Sequence, residues 1–338
     1  MRISTIVSVV VAAGIALASF STWAAGSPPA DEAASLAAWT KGNQEFDSGN
    51  LDAAMTDYNR AIALNPKNGL AYIRRAIIFD RRGNMDAAVA DFTTAIDINV
   101  SDPSAAGVLH AMRGRLLARM GKPKEALADF ETGMKLNPKY IDAYRDRAIT
   151  YFITADFAKA KPDYEKILAE QPDDPSSLYG LGVISYWERD WKTAAQHFGA
   201  LRKKSPQNAE AAVWLILAQR RDGQAVNTAD FQNIDQQTWP GPVVASLLGQ
   251  RAVLDKYVEE AAARKDPAFY KVGCLATYAT FAVAQAENRV PAVAADYEKK
   301  KPGEHYLDML SSTFESCGGV TAEGTIGKAE IKYLKEKK

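Results

Sequence analysis

One spacing constrains this chain more than any other property: a turn, a small residue and an aromatic return together about every 34 residues. Gly49, Gly83, Gly121, Ala155, Arg189 and Gly223 share one register, in steps of 34, 38, 34, 34 and 34. Ala54, Ala88, Ala126, Ala160 and Ala194 keep a second, and Tyr58, Phe92, Phe130, Tyr164 and Phe198 a third. A small residue stands upstream of each turn (Gly42, Ala76, Gly114, Ala148 and Gly182), and Pro66, Pro138, Pro172 and Pro206 follow downstream. In the second unit the insertion "NVSDPSAA" replaces the proline and accounts for the longer step. Periods of this length mark stacked architectures. Each unit reads as two helices joined by a tight turn, and proline ends the second because it has no N–H and clashes with the preceding turn. A lone pair cannot bury its apolar face, so neighbours must stack, which predicts an all-α solenoid. The small residue of each first helix is expected to face the alanine of the second, with the aromatic reaching towards the next unit.

The small, aromatic and proline markers resemble those of tetratricopeptide (TPR) repeats, and "TKGNQEFDSGNLDAAMTDYNRAIALNP" is close to an ideal unit. The resemblance implies an α-α superhelix over 36–224: five clear units ending at Pro206 and a partial sixth that begins "AEAAVWLILAQRRDGQ". The fourth unit is irregular, with Ala155 in place of glycine and Pro162 early in its second helix, where a local kink is expected. Residues 225–242 hold proline and glycine and read as a linker. Helical patterns return over 243–338, beginning with Val243 to Arg264, and are expected to form a degenerate cap shielding the last apolar face. Residues 239 to about 317 resemble NlpI-like bacterial envelope TPR proteins, which are adaptors for peptidoglycan hydrolases and a periplasmic protease. This sequence lacks their lipid-attachment Cys.

At the amino terminus, Arg2, the apolar run from Ile3 to Phe20 and the small residues after it read as a secretory signal peptide over 1–24, followed by a leader over 25–35. An uncleaved anchor is the alternative. A periplasmic location is expected, without a lipid anchor. Two cysteines, Cys274 and Cys317, are the whole complement; an exported chain permits a disulfide between them, and two small buried thiols are the other reading. Lys plus Arg and Asp plus Glu both number 41, so no net charge draws the chain to nucleic acid.

Neither a glycine-rich phosphate loop, a G-x-S-x-G elbow nor an H-E-x-x-H pair occurs, and the three histidines are scattered. No enzyme, cofactor or metal is expected. Such arrays usually hold a peptide on the wall formed by their first helices. The repeat register places there Trp39, Asn43, Phe46, Arg74, Ile77, Arg115, Arg145, Ile149, Phe152, Tyr179 and Tyr186, aromatics to stack apolar side chains and arginines to grip carboxylates or carbonyls. One TPR subclass clamps a chaperone's terminal carboxylate; Asn43 matches it, but Trp39, Arg74, Val108 and Met112 replace its other residues, so that clamp is largely absent. The expected function is an exported scaffold, with a homodimer allowed, that binds a protein or peptide of the cell envelope. A fixed subunit of an export or outer-membrane assembly is the alternative.

Overall fold

A computed structural model describes residues 30–99, 101–263 and 278. The expected signal peptide, both cysteines and most of 243–338 lie outside the described residues. Those described are helical throughout, with no strand among them. They divide into two compact units, one ending at Thr150 and the other starting at Tyr151.

The first unit contains α1 (Ala30–Asp47), α2 (Leu51–Leu64), α3 (Gly69–Arg81), α4 (Met85–Ile98), α5 (Pro103–Arg119) and α6 (Pro123–Leu136). The boundary falls inside α7 (Ile141–Ile153). In the second unit come α8 (Phe157–Glu170), α9 (Pro175–Trp187), α10 (Trp191–Lys204) and α11 (Ala209–Arg221), then α12 (Gly241–Leu247) and α13 (Arg251–Ala263). Helices pack in pairs α1/α2, α3/α4, α5/α6 and α9/α10, and each pair contacts the next within its unit.

Local chemistry explains the boundaries. Asn68, Asn84, Asp102, Asp174, Asp190 and Asn208 each accept a bond from the amide three residues on, satisfying an N–H that the first turn leaves open. After α2, α6, α8 and α10 one further amide closes onto the helix, for example Asn65 N–H on Ala61 at 2.9 Å, and the next residue is a proline with nothing to donate. Every turn within a pair repeats one closure. Asn50 N–H donates to the Glu45 carbonyl (2.8 Å), Asn84 to Phe79 (2.9 Å), Lys122 to Leu117 (2.9 Å), Asp156 to Tyr151 (2.9 Å) and Asp190 to Ser185 (2.9 Å). This closure needs a residue in the left-handed region, and it is there that the glycines stand, with Ala155 at φ +60° and Arg189 at φ +64° in the two exceptions.

The insertion near residue 100 becomes one extra helical turn. α5 has 17 residues where α3 and α9 have 13, and its cap is Asp102. α8 remains a single helix through Pro162.

Two expectations need correction. In three pairs the aromatic of the second helix lies against the small residue of its own pair, since a Cβ on Gly42 would meet the Tyr58 ring at 2.7 Å, one on Gly114 the Phe130 ring at 2.8 Å and one on Gly182 the Phe198 ring at 2.7 Å, whereas the Tyr164 ring does reach the next pair, against Gly180. Glycine therefore makes room for a ring, and at Gly114 also for the Ala126 carbonyl, which would stand 3.1 Å from such a Cβ, so the small residue and the alanine do face each other there. The single helix expected from Val243 to Arg264 is broken in two, because Gly249 at φ +96° ends α12 with the same closure, Gln250 N–H on the Ala245 carbonyl at 2.9 Å. α12 itself begins two residues before the expected start, and Phe231 and Ile234 of the preceding segment are buried in the core of the second unit.

Candidate binding surface of the helix pairs

The first unit carries a polar rung that recurs with the repeat. The residue before each aromatic is an aspartate (Asp57, Asp91, Asp129 and, in the second unit, Asp163), and all four are buried. A cation stands sixteen residues before each of them, Lys41, Arg75, Arg113 and Arg147. Arg75 binds Asp91 with two bonds (Nε to Oδ2 2.7 Å, Nη2 to Oδ1 2.8 Å), and Arg113 binds Asp129 in the same way (2.8 and 2.7 Å). Lys41 reaches Asp57 at 3.1 Å from an exposed position. Each arginine also ties its pair to the one before: Arg75 Nη1 donates to Asn59 (2.7 Å) and Arg113 Nη1 to Thr93 (2.9 Å). His110 Nδ1 lies 2.9 Å from Asp129. Burial pushes the Asp129 carboxyl up, yet the bonds from Arg113 and His110 outweigh it and hold the group below the ordinary carboxylate range. In the fifth pair the corresponding positions are Leu181 and His197, and the rung is gone.

The candidate wall residues separate into different settings. Asn43, Phe46 and Arg74 come together. The Asn43 carbonyl accepts the Tyr58 hydroxyl at 2.8 Å, and the Phe46 ring packs against two guanidinium groups, Arg74 at 5.3 Å and Arg81 at 4.4 Å. Phe46, Arg74 and Ile77 are nevertheless buried, at 4%, 6% and 4% exposure. Trp39 is half-buried against the same core, its indole N–H without a partner. Burial lowers the proton affinity of the Arg74 guanidinium; Tyr58 and Asp47 oppose that and Arg81 adds to it.

Arg115 and Arg145 belong to a second cluster on α5 and α7. Arg115 Nε donates to Asp146 at 2.7 Å, and Arg145 pairs with Asp142 one turn earlier on its own helix. Burial raises the Asp146 carboxyl despite Arg115, and pushes the nearby Tyr140 phenol up to about 12. Ile149, on the next turn of α7, is half-buried.

Within the second unit Phe152 and Tyr179 meet at 6.4 Å between ring centroids, and the Tyr179 hydroxyl donates to Glu210 at 2.6 Å. Tyr186, 1% exposed, sits between Trp191 (4.7 Å) and Trp214 (5.2 Å) inside the aromatic core.

Sequence reasoning passed over Arg81 and the buried aspartates, and both left a signal. Arg81 lies seven residues after Arg74, two turns along the same face, and the aspartates keep the repeat register one position before the aromatics.

Paired helices, left-handed turns in one register and a small residue cradling each aromatic are the geometry of one repeat family. Models of that family match here: "TPR repeat" over residues 42–81 and "Tetratricopeptide repeat" over 111–175. These two stretches carry tetratricopeptide repeats. The TPR chain is 28% identical over 139 residues to human Tetratricopeptide repeat protein 6, a match covering 40% of this chain and 25% of the relative, so it spans a quarter of that protein's length. It is 25% identical over 134 residues to the Photosystem I assembly protein Ycf3 of Prochlorococcus marinus, covering 39% of this chain and 72% of the relative. Among solved structures, Pseudomonas aeruginosa pilF superposes with a TM-score of 0.49 at 18% identity, covering 71% of this TPR protein and 95% of that chain.

Proposed function

We propose that this TPR protein is an exported scaffold that holds a protein or peptide partner in the periplasm and serves as an adaptor for enzymes of the cell envelope. The observation that carries the binding role is the face of the first unit, where half-buried Trp39 adjoins unbonded donors on Asn43 and Arg74. A face of that kind engages a ligand that brings acceptors and apolar side chains together, and binding rather than turnover is its chemistry. The role of an assembly protein, for which one 25%-identical relative is named, agrees with engagement of other proteins. Export rests on Arg2, the apolar run and the small residues up to Ala24.

Cell fractionation followed by intact-mass measurement tests the location; the chain should appear in the periplasm without its first 24 residues. In-cell crosslinking then tests the partner. Wild-type protein should crosslink to a discrete envelope protein, and Trp39→Ala with Asn43→Ala should lose it. Crosslinks that survive both changes would remove this face from the account. Recovery of the whole population in one large stable complex would favour a fixed assembly subunit over an exchangeable adaptor.

A further inference from the structure

Arg74 is a cation almost wholly out of water, and among the described residues it makes neither a hydrogen bond nor an ion pair; its Nε is buried without a partner. Charge in that setting is unfavourable unless something neutralises it. Two further features of the spot point to an anion. Arg81, exposed and also unbonded, shares the Phe46 ring with it. The Asn43 carbonyl is occupied by the Tyr58 hydroxyl, which fixes the amide and leaves its NH2 group as a free donor. Asp47 acts on Arg74 through space without bonding it.

We propose that Arg74 and Arg81 of the first unit receive the side-chain carboxylate of an acidic residue within an extended partner segment, with the Asn43 amide as a third donor. This rests on the reading that the first unit binds a peptide, and it names what that peptide carries. Two positive charges against Asp47 leave one net charge, which a single carboxylate balances and a doubly charged phosphate would exceed. Guanidinium matches a carboxylate with two parallel bonds, and the Phe46 face restrains both groups without competing for their N–H donors. Half-buried Trp39 on α1 and Met112 on α5 pack on the same core as Phe46 and Ile77. Trp39, Val108 and Met112 stand where the chain-end clamp has other residues, which favours an internal Asp or Glu over a chain end.

The test uses the full chain and pools of acetylated, amidated heptapeptides, neutral at every position except a central Glu, Gln or phosphoserine, with a fourth, acid-free pool ending in a free carboxylate. Fluorescence anisotropy should show the Glu pool binding about tenfold more tightly than the Gln pool. That preference should vanish in Arg74→Gln and in Arg81→Gln, the latter at an exposed site, and should grow in Asp47→Asn. Arg74→Leu should also raise the Tm, because it removes a buried cation that has no partner; an arginine kept for structure would lower it. Equal binding of the Glu and Gln pools, or a preference that survives Arg74→Gln, would overturn the site while leaving peptide binding intact. Preference for phosphoserine or for the free terminus would overturn the ligand. No binding of any pool would remove the peptide-binding reading itself.

Discussion

The two units solve the same packing problem with different chemistry. In the first, the helices of a pair are tied by buried carboxylates and bidentate arginines, Arg75 to Asp91 and Arg113 to Asp129, each arginine reaching back to the pair before. In the second, rings take over around Trp214: Phe198 stacks on it at 6.0 Å, and Tyr186 and Tyr278 meet it at 5.2 and 5.5 Å. Two of its turns differ too, with Ala155 and Arg189 where the first unit has Gly49, Gly83 and Gly121, while Gly223 and Gly249 keep the glycine. One backbone design thus tolerates directional or non-directional glue. The directional kind fixes register between pairs, and the aromatic kind contributes more buried apolar surface per residue.

The largest effect should come from the aromatic side. Trp214 is fully buried, and Trp214→Ala should cost about 3–5 kcal/mol of stability in urea unfolding, with the loss confined to the second unit if the two units melt separately. Next comes the polar side. Asp129→Ala leaves Arg113 and His110 without their acceptor and should cost about 3 kcal/mol, while the double change Arg113→Met with Asp129→Leu, which follows the apolar choice this chain already makes at Leu181, should recover most of it. If the double variant is no better than the single, the rung holds the pair by more than charge compensation.

Turn swaps should be smaller. Ala155→Gly and Arg189→Gly should each stabilise by about 1 kcal/mol, by relieving a left-handed backbone that a Cβ disfavours. Gly83→Ala should lose a similar amount of about 1 kcal/mol. Nothing lies within 4 Å of the Cβ it would add, so the change reads backbone alone.

The smallest effect is acid sensitivity, and it should separate the units. Burial depresses the His197 imidazole, with Asp190 and Glu165 opposing and Lys161 adding to the fall. A folded-state value below the unfolded one of about 6.5 means stability present above that pH and lost as pH falls through the folded value. Asp129 is also depressed, but from an unfolded value of about 3.9, so its contribution persists to lower pH and goes only as pH falls through its folded value. Thermal melts between pH 7 and pH 5 should weaken the second unit first, and His197→Gln should abolish that early loss. An equal early loss in both units would mean that another group titrates.

Much of this was legible in the residues. The 34-step series located the turns up to Gly223 and nearly every helix before it, but not the turn at Gly249, because a left-handed closure and a proline stop are local events that a few residues encode only where the repeat is kept. The insertion was visible but its outcome was not: whether four residues loop out or add a turn to α5 depends on Asp102 finding the cap position. The wall was the least legible part. Tyr186 and Phe46 look alike in register, yet one is enclosed by Trp191 and Trp214 while the other lies between two arginines.

By itself, then, the amino-acid order determined the repeat, its helices and the family, since 3.6-residue periodicity and backbone sterics act over a few positions. Tertiary structure alone decided which polar groups found partners. Arg113 meets its acid 16 residues away across its own pair and Arg115 meets Asp146 31 residues away on the next, whereas Arg74 meets none, and proximity of that kind is created only when helices pack.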